Sequence, residues 1–336
     1  MTQEQQAIEY SRHLGPVSSE QIQAALDRFD LGKLLHVRPV QQGVNGQTLF
    51  INSTAGAWVF RGKPHFPGQF ERERFFTDLL HTHTQAPVPW PYRVESTADL
   101  FGWAFVIMPR MPGMQFGYGK VQARLSDEDW RGIARACGEV LAELHQLQWP
   151  PWPEHPFPFP VVAGDAGVSP QAYAASYLAK ITEALENARQ LSPKLDEADI
   201  AWLQQQIETN QAALLVPFRP CFVMEDFKDG NLTISRAGGH WRVSGVFDYM
   251  FAQFGDGETD LSRSIANFAG RDIELARIFL HAYQQRRPLR AGYRERYRLY
   301  MLCERFGLWV WAQSQGQNWG TLREMFGSLL SLDLFE

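Results

Sequence analysis

The chain has 336 residues, 45% hydrophobic and 21% charged, which suits two modest domains better than one and excludes a disordered, collagen-like or coiled-coil protein. A formal net charge of -5 and a pI near 6.0 argue against a nucleic-acid binder, whose phosphate-facing surface is basic, and fit a neutral or cationic partner better. Cys137, Cys221 and Cys303 are odd in number, far apart and without C-x-x-C spacing, so they read as reduced core thiols of a cytoplasmic protein. The N-terminus MTQEQQAIEYSRHLG is polar and acidic, unlike a secretion signal, and no run approaches the ~18 apolar residues of a membrane span. The 11 tryptophans read as packing residues, with an aromatic ligand cage as the alternative.

Residues 4 to 35 carry a helical pattern, with Ser18 or Ser19 as cap and Glu20 and Gln21 in the first turn of SSEQIQAALDRF. From Leu34 the texture changes to the short runs LLHVRPVQ, TLFINS and AWVFRG, separated by the turns VNG and TAGA, which predicts a three-stranded meander. FERERFFTDLLHTH is a helix with Phe70, Phe75, Phe76, Leu79 and Leu80 on its apolar side, and the prolines of APVPWP end it. YRVEST and GWAFVIMPRM add two strands. The predicted fold is α+β and bilobal. Residues 1–112 form a small antiparallel-sheet lobe with one helix behind a leading helix, and 113–336 form a larger, mainly helical lobe.

The second part opens with SDEDWRGIARACGEVLAELHQL, where a Ser126 cap and an acidic first turn mark a helix start. The proline-rich PPWPEHPFPFP is too short to fold alone and reads as a linker, or alternatively a docking motif. Helices over SPQAYAASYLAKITEALENARQL and DEADIAWLQQQIETNQAAL follow, then a β-rich patch, then helices to the end.

The β-rich patch, VMEDFKDGNLTISRAGGHWRVSGVFDYM, carries the chemistry. Asp226 is followed five residues later by Asn231, and a hairpin turning at AGGH leads on to Asp248. Phosphoryl transfer needs magnesium to bridge phosphate oxygens and a carboxylate to orient the attacking hydroxyl and accept its proton. Asp and Asn supply the hard oxygen ligands that Mg²⁺ takes.

This segment resembles the catalytic loop of the aminoglycoside phosphotransferases and their choline-kinase-like relatives, H-G-D-x-x-x-x-N followed by a hairpin and an I-D-W-type turn. The resemblance implies Asp226 as catalytic base, and Asn231 and Asp248 as magnesium ligands. GDGETDLSR resembles the G-D-x-x-x-D-L stretch, in which Asp260 braces the catalytic loop, and Leu144-His145 matches the L-H signature. Upstream, VQQGVNGQTLFI, with Gly43 and Gly46, resembles the nucleotide-covering turn. Arg61 stands where the family pairs a Lys or Arg with phosphate, and Glu73 where a helix carboxylate holds that cation. FVIMPRMPG resembles the hinge whose backbone, around Met108 to Met111, meets adenine. The likeness spans roughly residues 35 to 310, with a looser one to hygromycin kinases in YRLYMLCERFGLWVWAQ. It implies a phosphotransferase that uses ATP, or GTP, with Mg²⁺ to phosphorylate a hydroxyl of a small molecule, amine- or sugar-bearing, antibiotic- or metabolite-like. The N-terminal lobe would bind nucleotide and the C-terminal lobe the acceptor.

One departure stands out: Met224 and Glu225 occupy the places of the usual His and Gly. Facing Asp226, Glu225 would raise a carboxyl pKa; pointing outward, it could bind an amine. The alternative function is therefore a kinase-like protein that binds nucleotide or ligand without turnover. Lys63 is the alternative phosphate contact, on the same strand face as Arg61. Glu73 in ERER has a surface ion pair as its bland alternative. His81 and His83 read as surface residues, since no Cys or His lies at ligand spacing. Glu225, Asp229, Asp256 and Glu258 either form an amine-binding rim or are simply solvated. No Walker loop, G-x-S-x-G or H-E-x-x-H occurs, which excludes the commonest P-loop, hydrolase and zincin chemistries.

Overall fold

The computed structural model describes residues 17–40, 47–117, 119–149, 170–191, 195–314, 316–317, 322–332 and 334. The turn bearing Gly43 and Gly46 and the proline-rich insert lie outside the described residues. The chain forms two compact units, Met1–Met114 with Ser244–Ala252, and Gln115–Val243 with Gln253–Glu336.

In the first unit, helix α1 (Ser19–Asp27) starts at a capping box in which Ser18 accepts from the Gln21 N–H. The described part of the expected 4–35 helix is shorter than its pattern suggested. The chain turns through left-handed Asp30 (φ 55°) and Gly32 (φ 77°), and strand β1 (Leu34–Pro39) begins where a longer helix was expected. With β2 (Gln47–Ser53), β3 (Gly56–Gly62), β4 (Arg93–Glu95) and β5 (Phe105–Pro109) it forms an antiparallel sheet of order β1-β2-β3-β5-β4. Period-2 alternation sends Leu49, Ile51, Phe60, Phe105 and Ile107 to one face, against Ile22 and Leu26 of α1. Each such side chain contributes about 1.5–3 kcal/mol on burial. Val106 and Met108, on the other face, pack with Phe70 of helix α2 (Gln69–His83) and with Tyr92. Arg61, next to Phe60 in β3, is thereby turned away from the α1 core.

In the second unit, β6 (Met114–Gln115) and the short α3 (Gly119–Gln122) precede α4 (Asp127–Leu144), which is capped by Ser126. α5 (Pro170–Leu191), α6 (Glu197–Asn210) and β7 (Cys221–Val223) follow. β8 (Leu232–Ala237) and β9 (His240–Val246) make a hairpin whose Gly238 and Gly239 both have positive φ, 58° and 83°, as a two-residue primed turn requires. β10 (Gln253–Gly255) pairs antiparallel with β7. α7 (Leu261–Ala269), α8 (Ile273–Gln284), α9 (Tyr293–Ser314) and α10 (Leu322–Leu330) complete the unit. α4 and α8 approach so closely at Gly138 that an added Cβ would lie 2.2 Å from the Phe279 carbonyl oxygen. Among the described residues no helix is long and apolar enough to cross a membrane.

Candidate active site

Three residues singled out in separate stretches of sequence converge in the first unit. Arg61 at the end of β3 donates through Nη1 to Glu73 of α2 at 2.6 Å and through Nη2 to Asp248 at 3.3 Å. Glu73 is fully buried and also accepts from Gln69 (2.8 Å) and from the Tyr92 hydroxyl (2.7 Å), so it is no surface partner of its ERER neighbours. Burial raises the Glu73 carboxyl pKa above its ordinary value, against the pull of the Arg61 charge and of the hydrogen bonds from Gln69 and Tyr92. Burial also works against the Arg61 charge, yet the two carboxylates outweigh it and raise its proton affinity. Lys63 is exposed and left-handed (φ 54°), which breaks the strand alternation that would have put it on the Arg61 face.

In the second unit, Asp226 and Asn231 meet directly. Asn231 Nδ2 donates to both the carbonyl and the carboxylate of Asp226, each at 2.9 Å, closing the five-residue loop. The same carboxylate takes Lys228 Nζ at 2.8 Å and the Arg263 guanidinium, which also holds Glu304. The loop is braced from below. Buried Asp260 accepts from the Met224 N–H at 2.6 Å and the Glu225 N–H at 2.8 Å, and Ser264 donates to the Phe227 carbonyl. His145 stands beside Asp260 at 3.4 Å and shares a 2.9 Å hydrogen bond with the Tyr283 hydroxyl. Burial lowers the proton affinity of the imidazole, against the pull of Asp260, so it is neutral.

The donor chemistry suits magnesium. With the Asn231 amide nitrogen committed to Asp226, its Oδ1 accepts no hydrogen bond among the described residues, and Asp248 engages Arg61 through Oδ1 alone. Each of these oxygens, taken within its own unit, is of the hard kind that Mg²⁺ takes from protein. Of the hinge pair, Met108 is buried in β5, and Met111 follows that strand, half-buried.

The sequence profile described as the phosphotransferase enzyme family matches residues 36–300. The chain belongs to that family. No curated protein sequence matches it. Its fold is the protein-kinase-like α+β fold expected, as solved structures show. The GDP complex of wild-type aminoglycoside 2'-phosphotransferase-IIIa aligns with a TM-score of 0.61 at 16% identity, over 91% of this chain and 94% of that one. Macrolide 2'-phosphotransferase MphH from Brachybacterium faecium aligns at 0.56 and 19%, over 94% and 99%. A thermostable mutant of aminoglycoside phosphotransferase APH(4)-Ia, in a ternary complex with ADP and hygromycin B, aligns at 0.57 and 14%, over 92% and 95%.

Against this family background the Met224-Glu225 departure has a physical reading. Met224 is fully buried, so apolar packing absorbs it. Glu225 sits at φ 66°, where a glycine would be unstrained. Its side chain turns to Gln253 and to Lys180, 4.0 Å away, and burial raises its carboxyl pKa against the pull of Lys180. The expected acidic rim is not a rim. Asp256 and Glu258 are buried and bound by Arg290, with Arg296 on Glu258 and the Tyr300 hydroxyl on Asp256. His81 and His83 are exposed, and no metal-binding group of His, Cys, Asp and Glu occurs among the described residues.

Several residues that the structure brings to this loop carried no assignment from sequence. Lys228 lies two positions after Asp226, and its position in the loop was signal enough. Arg263 stood in the quoted GDGETDLSR without a role, because nothing local says where a helix side chain reaches. Glu304 and Lys180 come from distant helices and carry no motif.

Proposed function

We propose that this phosphotransferase moves the γ-phosphate of ATP or GTP to a hydroxyl of a small molecule in the cytoplasm. Asp226 orients that hydroxyl and accepts its proton, the oxygen bonds to the γ-phosphorus as the bond to the bridging oxygen breaks, and the nucleoside diphosphate leaves. Arg61, held by Glu73, pairs with the nucleotide phosphates. Asn231 and Asp248 hold Mg²⁺, which neutralises charge on the phosphates. The backbone at Met108 to Met111 meets the base. In this reading the sheet-bearing 1–112 segment serves the nucleotide and 113–336 serves the acceptor.

The observation that carries the reading is the Arg61 guanidinium spanning Glu73 and Asp248, since a cation fixed by two carboxylates from distant segments is costly to build without a ligand to meet. The test is transfer from γ-labelled ATP or GTP to a panel of hydroxylated small molecules, with and without magnesium. Magnesium-dependent labelling that Asp226→Asn reduces by at least ~10²-fold, with nucleotide affinity kept, supports the roles given. Unreduced transfer in that variant removes Asp226 as base. Nucleotide binding without transfer to any acceptor would favour a ligand-binding protein that lacks turnover.

A further inference from the structure

The two oxygens of Asp226 are not equally free. An ionised carboxylate has about two lone-pair sites on each oxygen. Both on Oδ2 are taken, by Lys228 Nζ at 2.8 Å and by Asn231 Nδ2 at 2.9 Å. Among the described residues Oδ1 accepts from Arg263 Nη1 alone, so one site is left there. Arg263 stands on α7 and is aimed from its other nitrogen: Nε donates to Glu304 of α9, and Arg305 Nη2 holds the Arg263 carbonyl at 3.3 Å. The third nitrogen, Nη2, hydrogen-bonds nothing among the described residues. It is also absent from the buried side-chain nitrogens that lack a partner, so it is open to solvent. In the planar, fixed fork of a guanidinium, Nη2 adjoins Nη1. A charged donor without an acceptor thus lies beside the one open site on the carboxylate.

We propose, on the footing of the phosphotransferase reading above, that the acceptor is a vicinal diol or polyol, sugar-like at the reacting carbon. Its reacting hydroxyl docks at Asp226 Oδ1, and the oxygen on the adjacent carbon accepts from Arg263 Nη2. Nη1 already contacts Oδ1, so Nη2 stands one guanidinium position away, within reach of the neighbouring carbon's oxygen. Arg263 thereby reads what lies next to the reacting hydroxyl. Nη2 asks for an acceptor and nothing more. A hydroxyl or an ether oxygen serves it. A CH₂ leaves the charged donor unmet, and an ammonium has no lone pair to offer and meets it donor to donor.

The test uses the full chain with magnesium and nucleoside triphosphate, and compares kcat/KM for four acceptors on one ring, each as its cis and trans forms where these exist: cyclohexane-1,2-diol, 2-methoxycyclohexanol, 2-aminocyclohexanol and cyclohexanol. In the better isomer, the diol and the methoxy ether should agree within about three-fold, and each should exceed cyclohexanol and the amino alcohol by about ten-fold or more. Arg263→Lys keeps the charge and loses the fork. It should lower kcat/KM for the diol by about ten-fold or more beyond its effect on cyclohexanol, whereas a role only in holding Asp226 would lower both alike. Should that variant not fold, the four acceptors on the unmodified chain decide alone. Cyclohexanol or the amino alcohol matching the diol, a methoxy ether as poor as cyclohexanol, or an equal loss on both acceptors in Arg263→Lys overturns the proposal. Nucleotide binding with no transfer to any of the four also overturns it and leaves the phosphotransferase reading to the wider panel. A chain that binds no nucleotide overturns both.

Discussion

Replacing Asp260 with Asn tests whether the catalytic loop is held from beneath. The carboxylate accepts two backbone N–H groups, from Met224 at 2.6 Å and Glu225 at 2.8 Å, and is itself buried. Asn keeps the shape but offers one acceptor oxygen, so one N–H would face an amide NH₂. Hydrogen bonds to a charged group are worth about 1.5–3 kcal/mol each, and a buried donor left unmet costs about 1–3 kcal/mol. A loss of about 2–4 kcal/mol is expected. In a unit of roughly 200 residues that lowers the melting midpoint by about 4–15 °C. Asp226 lies one residue beyond this clamp, and a misplacement of about 1 Å at a reacting group costs on the order of 10² in rate. Thermal melts of the unmodified chain and of Asp260→Asn, beside transfer assays at saturating substrate, measure both effects. Glu274→Gln, at an exposed ion pair on α8, is the control. A midpoint within about 1 °C of the unmodified chain and a rate within about three-fold would refute the clamp.

Glu225→Gly should raise the melting midpoint, because a left-handed non-glycine residue costs about 1–2 kcal/mol, more than the hydrogen bond from Gln253, worth about 1 kcal/mol, and the distant contact with Lys180 together return. A lowered midpoint would show that the Glu225 side chain holds the loop. The neutral buried His145 gives stability a pH dependence of definite sign. Its native pKa lies below the unfolded value of about 6.5, so its contribution is full above that pH and is lost as pH falls, when the unfolded chain binds a proton the native site refuses. His145→Gln should flatten denaturant-midpoint profiles between about pH 7 and 5. Parallel profiles in the two proteins would place that dependence elsewhere.

Much of the fold was legible because local signals agreed. Ser18 and Ser126 both form the capping boxes their sequences announce, and the alternation in TLFINS and AWVFRG gives β2 and β3. The helical pattern over 4–35 overran because propensity does not register the left-handed turn at Asp30 and Gly32 that starts the sheet. In the site, residues within one motif were legible, as Asp226 with Asn231, because loop closure over five residues is a local matter. The Arg61–Glu73 pair required the resemblance, since ERER alone is equally a solvated run. The identification of Asp256 and Glu258 as interior ion-pair residues was out of reach, because their partners Arg290 and Arg296 lie more than thirty residues on and no periodicity joins them.

The central claim is a magnesium-nucleotide site that depends on Asp248. It is tested most directly by the melting midpoint with and without millimolar ATP or GTP and Mg²⁺, in the unmodified chain and in Asp248→Ala. Ligand binding to the native state at a hundred times Kd contributes about 2.7 kcal/mol, a shift of several degrees. The expected result is a magnesium-dependent rise that Asp248→Ala loses. No rise with either nucleotide, or an equal rise in the variant, would contradict it.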